Sequence, residues 1–363
     1  MGYSGVIDEA VSFIHSGEER KKFLSQKLAP LKHSSLQLSA EVLEEKIVFP
    51  VQKARLDGKI VGVDSGFVDK RLSSADIVLV RAVGVCFEFE NSKLSKSHYF
   101  PGIYNFPIPH LSKGSLDLDE ANCSRSLIRL REELSAAKKC IEEFSPNYCF
   151  LDGSLVPQYA DKPRTDSRVN EMYQSIVQEF ESLYQTAVEN NCSLVGCVED
   201  SRGSRFCSLL QEEILPKTAL ANSTTVENMF DSSLLAYFLD LGERTMSFRY
   251  TKNVSQHAIL KDFDKKWSQN IFSMYLKSAQ LDAPLRVEFL NPNGPVSKKA
   301  SEVAGVVFAL SSLHREYAYP SVLVEADLRS RLTSQEIEIV FGKIFDKLSR
   351  HVKIKMRRDK RPF

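Results

Sequence analysis

Three short apolar segments that each end in a carboxylate constrain the fold of this 363-residue chain more than any other feature. The carboxylates are those of Asp64, Asp152 and Asp200. Two long segments between them, 119–144 and 169–190, carry apolar residues at helical spacing. Alternating strands and helices are typical of α/β proteins, and other strand-like segments suit antiparallel pairing. We therefore predict an α/β fold with a mixed sheet flanked by helices.

The carboxylates at the strand ends predict a metal site. Open α/β sheets build their sites beyond the carboxyl ends of the strands, where neighbouring ends lie about 5 Å apart. Carboxylates at such distances repel one another unless a cation lies between them. Oxygen ligands suit Mg²⁺ or Mn²⁺, and two such ions about 4 Å apart promote phosphodiester hydrolysis. The alternative is that each aspartate is a turn residue or a helix N-cap.

The bulk composition narrows the function classes. With 48 Lys and Arg against 47 Asp and Glu, the formal charge is +1, so a DNA-binding surface has to be local. The seven cysteines form no CxxC pair, which favours a reducing compartment over a structural zinc site or a disulfide framework. No segment approaches the roughly 18 apolar residues that span a bilayer. We expect a cytoplasmic protein without membrane association.

The apolar pattern divides the chain into three parts. Residues 1–50 are predicted to form an N-terminal arm of short amphipathic helices, broken near Pro30, whose apolar positions suit dimer contacts. Residues 51–345 form the main domain. Residues 346–363 are a basic tail, which either lines a DNA path or is solvated.

Four motifs in order resemble the NurA nuclease family of archaea and some bacteria. They are "VGVDSG" at 61–66, "LDGSL" at 151–155, "FDSSLLAYFLDLGERT" at 230–245 and "YPSVLVEAD" at 319–327. The resemblance implies a ribonuclease H-like (PIWI-like) core and cleavage of DNA that depends on manganese or magnesium, with 5′–3′ exonuclease and single-strand endonuclease activity. It also implies a homodimer that acts with a HerA-type hexameric ATPase in DNA end processing for recombinational repair.

The same resemblance assigns the catalytic and metal-binding residues. Asp64 and Asp152 match the family's two catalytic aspartates, and Glu133 matches a glutamate on the helix before the second of them, with Glu132 as the fallback. Asp327 stands where a histidine is expected. In a mechanism with two ions, Asp64 would bridge both, Glu133 and Asp152 would hold one each or one together, and Asp327 would complete the second.

Further candidates come with competing interpretations. Arg202 and Arg205 follow shortly after Asp200, at the end of the third apolar segment, and suit contacts to DNA phosphates. Tyr319 suits either a contact to the scissile phosphate or packing. For Asp231, at the start of a helix, an N-cap role is favoured over a catalytic one.

The third apolar segment, which ends in Asp200, departs from the family pattern. Glu199 and Asp200 lie where relatives tend to carry a lysine, so a role for that lysine in the transition state is in doubt here. Together with Asp327, this difference leaves open a non-catalytic DNA clamp or helicase regulator. An actin-like or sugar-kinase ATPase is disfavoured. That class carries Thr or Ser soon after the glycine of its first phosphate loop, whereas Phe67 and Val68 follow Gly66 here.

Overall fold

The structure is a computed structural model that describes residues 3–72, 76–112, 116–221 and 223–347. The chain divides into two compact units. The first unit comprises Met1–Arg55, Cys197–Val254 and Gln269–Ser321, and the second comprises Leu56–Gly196, Ser255–Ser268 and Val322–Phe363. Most of the predicted basic tail, residues 348–363, lies outside the described residues.

The described residues form both α-helices and strands, which alternate only over residues 118–209. The α-helices are α1 Tyr3–Leu28, α2 Leu118–Phe144, α3 Asn170–Glu189, α4 Arg205–Leu209, α5 Asp231–Phe238, α6 Lys265–Ser268, α7 Val296–Ser311, α8 Ser321–Ser330 and α9 Ser334–Lys347. The strands are β1 Val48–Pro50, β2 Gly58–Arg71, β3 Asp76–Glu90, β4 Lys93–Phe100, β5 Ile108–Ser112, β6 Tyr148–Asp152, β7 Ser193–Val198, β8 Glu243–Thr245, β9 Phe248–Arg249, β10 Ile271–Leu276 and β11 Leu285–Leu290. Among the described helices, none is both long and apolar enough to cross a bilayer.

The second unit contains a mixed sheet. Its strands lie in the order β7, β6, β2, β3, β4, and β5 also pairs with β3. β2 runs parallel to β6, while β3 pairs antiparallel with β2, β4 and β5. Helix α2 packs against β2, β3 and β6, and α3 packs on α2. The predicted α/β class, with a mixed sheet flanked by helices, is confirmed.

The first unit pairs short antiparallel strands in the order β1, β8, β10, β11, with β9 on β10. Its core joins the end of α1 to the region around α4 and α5, through buried side chains such as Leu28, Phe206 and Leu235. The amino-terminal half of α1 leaves apolar side chains such as Phe13 and Val11 exposed.

The N-terminal arm differs from the prediction. One continuous helix extends to Leu28 and is followed by a 3₁₀ turn over Ala29–Leu31, as expected near Pro30. The prediction that helical structure resumes in the arm after Pro30 is wrong, because residues 32–47 contain no helix. This segment is held by a buried ion pair instead, in which Glu44 accepts two hydrogen bonds of 2.8 Å from the Arg244 guanidinium.

Strand β2 is longer than predicted and does not end at Asp64. The strand continues to Arg71 because β3 pairs with it over its whole length. Gly62 and Gly66 let α8 approach the strand backbone, since a Cβ atom there would lie 2.8 Å from the Val322 carbonyl and 2.5 Å from the Ser330 carbonyl oxygen. Because side chains alternate along a strand, Asp64 points to the same face as these glycines.

Candidate active site

Asp64 and Asp152 occupy neighbouring positions on two parallel strands. The register of β2 and β6 ends at the pair Val63 and Leu151, and the two aspartates follow one step later on each strand. Adjacent strands are about 5 Å apart, so both carboxylates belong to one region of the sheet. Asp64 is 7% exposed and Asp152 is half-buried.

Helix α2 adds a third carboxylate to this region. Glu133 is 3% exposed and accepts a hydrogen bond of 2.5 Å from the Ser65 hydroxyl, next to Asp64 on β2. Arg129, one helical turn earlier, forms an ion pair of 2.7 Å with Glu133 and donates to Ser65 at 3.2 Å. Glu132 instead lies half-buried with an oxygen 3.4 Å from His110 Nε2. Of the two glutamates, Glu133 is therefore the one that contacts β2.

The electrostatics of this region reflect surplus negative charge. The pKa of Glu133 is raised to about 7, chiefly by burial and also by the Asp64 charge, while the charge of Arg129 opposes the shift. The Glu133 charge raises the pKa of Arg129 in turn, against burial, and Asp161, Asp64 and Asp152 add to that increase. The charges of four carboxylates thus act on one guanidinium, which contacts that of Glu133.

Asp161 is a member of this group that the sequence analysis missed. It lies in a 3₁₀ turn, Tyr159–Asp161, shortly after β6, and is 5% exposed. Its carboxylate accepts hydrogen bonds from the Ser126 hydroxyl of α2 and, at 2.7 Å, from the backbone N–H of Gln158. The available signal was an aspartate nine positions after Asp152, shortly past the end of the second apolar segment.

Helix α8 contacts Asp64 through Ser330 rather than through Asp327. The Ser330 hydroxyl is buried and lies 2.6 Å from Asp64 Oδ2, and also 3.1 Å from the Asp327 carbonyl oxygen. The Asp327 carboxylate is half-exposed and pairs with Arg331. Asp327, the predicted fourth ligand, therefore lies on the helix next to β2, but its carboxylate pairs with Arg331.

The donor chemistry of the group fits a hard divalent cation. Asp64, Glu133, Asp152 and Asp161 offer only carboxylate oxygens, which Mn²⁺ and Mg²⁺ prefer, and their charge exceeds that of Arg129. Within the described part of the chain, no set of three or more His, Cys, Asp or Glu side chains converges closely enough to hold an ion.

The other predicted binding residues belong to the first unit. Arg202 is exposed, whereas Arg205 forms an ion pair with Glu41. Tyr319 is 5% exposed, and its hydroxyl lies 3.2 Å from the Cys197 carbonyl oxygen, an arrangement typical of a packing residue.

The acidic residues of the first unit also have local partners. Glu199 accepts a hydrogen bond of 2.7 Å from the Tyr317 hydroxyl, and Asp200 is exposed with a left-handed φ of 44°. Asp231 is fully buried and caps α4 rather than its own helix, because its carboxylate accepts the N–H groups of Phe206 and Cys207 at 3.0 and 2.8 Å. Burial raises the pKa of Asp231, while these N–H groups oppose the increase.

A sequence model of one protein family matches residues 58–332, and that model is described as the NurA domain. The matched range covers most of the chain and includes Asp64, Glu133, Asp152 and Asp327. The chain belongs to the NurA domain family. Membership in the NurA family supports a nuclease as the activity of this chain.

Solved NurA structures share this fold. The NurA nuclease from Sulfolobus solfataricus is 14% identical, with 96% of each chain covered and a TM-score of 0.58. A structure of NurA with manganese is 10% identical, covers 95% of this chain and 98% of its own, and has a TM-score of 0.52. No curated protein matches the chain. All seven cysteines of this NurA-domain protein are buried.

Proposed function

We propose that this protein is a deoxyribonuclease that hydrolyses phosphodiester bonds with Mn²⁺ or Mg²⁺. The observation that carries the proposal is the register of β2 and β6, which sets Asp64 beside Asp152 in a chain of the NurA family. Glu133 adds a buried carboxylate from α2 to the same region. The solved NurA structure with manganese supports the choice of metal.

Each candidate residue would have a separate role in binding the metal. Asp64 and Asp152 would hold the metal from the sheet, Glu133 would hold it from α2, and Asp327 would complete a second site if it left Arg331. Ions in such sites activate the attacking water and stabilise the departing oxygen. Arg129 would keep Glu133 oriented while the metal is absent.

We extend the proposal to the cellular role that the family suggests. The protein would act as a 5′–3′ exonuclease and single-strand endonuclease, in the cytoplasm, with a HerA-type ATPase in DNA end resection for recombinational repair. It would do so as a homodimer with two ions per site. The exposed apolar residues of α1, including Phe13 and Val11, support a contact with a second copy.

A non-catalytic DNA clamp is the second candidate. The pairing of Asp327 with Arg331 favours it, because that carboxylate is already neutralised by a cation four residues further along the chain. The two functions differ in one property, since a clamp binds DNA without cleaving it at any metal concentration.

Labelled linear DNA incubated with the purified protein and Mn²⁺ tests the proposal. We expect cleavage by the wild type and a loss of at least about 100-fold for Asp64→Asn, since even outer-shell partners of a metal contribute 10- to 100-fold. Glu133→Gln should lose activity in the same way, whereas Glu132→Gln should stay within a few-fold of wild type. DNA binding without cleavage by the wild type would instead identify the clamp.

A further inference from the structure

The loop between β4 and β5, residues 101–107, carries the most exposed aromatic side chain of the described residues. Tyr104 is 89% exposed, Phe106 is 61% exposed and Ile103 is 46% exposed. The loop "PGIYNFP" has no charged residue, and its last proline, Pro107, is buried. Two rings are thus presented to solvent by a loop whose carboxyl end is anchored in the second unit.

The strand register places this loop level with Asp64. The last residue of β4, Phe100, pairs with Gly84 of β3, and the first residue of β5, Ile108, pairs with Val80 of β3. The base of the loop therefore lies beside residues 81–83 of β3. The opposite edge of these β3 residues pairs with residues 64–66 of β2. Two strand spacings separate the base of the loop from β2, a distance of about 10 Å.

The last two residues of β4, Tyr99 and Phe100, are aromatic, and a cationic side chain lies near each of their rings. Lys139 of α2 is exposed, with its Nζ 5.8 Å from the centre of the Phe100 ring. The Arg329 guanidinium of α8 lies 5.3 Å from the centre of the Tyr99 ring and also pairs with Glu325. Aromatic rings beside cations are the combination with which proteins bind single-stranded nucleic acid.

We propose that loop 101–107 is a stacking platform for the bases of single-stranded DNA next to the active site. Tyr104 and Phe106 would each stack on a base, and Lys139 would contact the backbone of the same strand. Stacking tolerates any sequence, because every base has a π-face. The inference rests on the proposed nuclease function for its substrate, but it can be tested by binding alone.

Fluorescence anisotropy with a labelled oligothymidylate, in EDTA so that no cleavage occurs, measures the binding. The double variant Tyr104→Leu with Phe106→Leu keeps apolar surface and removes both rings, so we expect binding at least about 5-fold weaker. The double variant Tyr104→Phe with Phe106→Tyr keeps the rings and should bind as wild type. Phe230→Leu removes a ring that is 49% exposed in the first unit and serves as the matched control.

A tryptophan probe reports stacking directly. The chain has one tryptophan, Trp267, which is 5% exposed, so Tyr104→Trp adds a distinct exposed fluorophore. We expect its emission to be quenched on titration with oligothymidylate, while the emission of the wild type changes little.

The outcomes separate the platform from the nuclease. Ring-dependent binding by a protein that cleaves no DNA would support the platform and refute the nuclease. Unchanged binding by the leucine double variant in a protein that does cleave DNA would overturn the platform. If that variant instead changes the mass of the protein in light scattering, the loop is a contact between protein chains.

Discussion

Two serine hydroxyls hold two of the buried candidate carboxylates. Ser65 donates to Glu133 at 2.5 Å, and Ser330 donates to Asp64 Oδ2 at 2.6 Å. Such bonds fix the rotamer of a carboxylate before a ligand arrives, which is how outer-shell partners tune metal sites. The Ser330 bond occupies Oδ2 and leaves Oδ1 of Asp64 without that donor. At the scale of single residues, the site is thus partly organised by hydroxyl groups that carry no charge.

Replacing Ser330 with alanine should weaken metal binding more than it weakens the fold. We expect Mn²⁺ affinity to fall by about 10- to 100-fold, because the Asp64 carboxylate loses its orientation. The free energy of unfolding should fall by only about 1 kcal/mol, the usual contribution of one hydrogen bond. Titration with Mn²⁺, followed by electron paramagnetic resonance, measures the affinity. Ser330→Thr, which keeps the hydroxyl, is the control, and unchanged affinity in Ser330→Ala would exclude the positioning role.

At the scale of elements, a histidine caps the 3₁₀ helix Leu260–Asp262. The Nδ1 atom of His257 accepts the backbone N–H groups of Ile259 and Leu260 at 3.2 and 3.1 Å, which requires that nitrogen to be unprotonated. Burial lowers the pKa of His257 below its ordinary value, and the charge of Lys162 lowers it further. Protonation therefore breaks the cap.

This cap predicts a loss of stability in mild acid. A pKa that is lower in the folded state contributes stability that is present above the unfolded value of about 6.5 and is lost as the pH falls below it. His257→Asn keeps an acceptor near the cap but does not titrate. Urea unfolding between about pH 8 and pH 5 should show the wild type losing stability relative to this variant. Parallel pH curves for the two proteins would exclude the mechanism.

The ion pair between Glu44 and Arg244 holds segment 32–47 against β8. Both side chains are at most 2% exposed, and Glu44 also accepts the N–H group of Ser247 at 2.6 Å. Glu44→Leu should cost about 3–5 kcal/mol in the free energy of unfolding, and so should Arg244→Leu, because each change leaves the charge of the other residue buried and unpaired. The double change of Glu44 and Arg244 to leucine should cost less than either single change. Urea denaturation of the four proteins completes the cycle, and additive costs would contradict the coupling.

At the scale of the whole molecule, the local patterns predicted the elements better than they predicted the partners of those elements. The helical spacing over 119–144 gave α2 to within one residue, because its capping box, Asp117 with Glu120, and its apolar stripe are both local. The end of β2 was misplaced, because pairing with β3 extends that strand past Asp64, where the apolar segment ends. Whether a polar segment continues as a strand depends on a neighbour that the segment itself does not encode.

The same reasoning separates the parts of the candidate site. The adjacency of Asp64 and Asp152 follows from an apolar strand with an aspartate at its end, repeated after a helix, so the sequence carries it. The bond from Ser330 to Asp64 joins residues 266 positions apart, and it depends on glycines that admit α8 to the face of β2. No spacing rule connects such residues, so Ser330 could be found only from the packing.

A metal that binds the folded state should stabilise the whole molecule. The charges of Asp64 and Asp161 disfavour ionisation of Glu133 in the metal-free protein, and a bound cation relieves that repulsion. By mass action, Mn²⁺ at about 100 times its dissociation constant should raise the free energy of unfolding by about 2.7 kcal/mol. Thermal unfolding with and without Mn²⁺ measures the shift, and Na⁺ at matched ionic strength controls for screening. Asp64→Asn should unfold at the same temperature with and without Mn²⁺; if it is stabilised as much as the wild type, the ion binds elsewhere and this group of carboxylates is not the metal site.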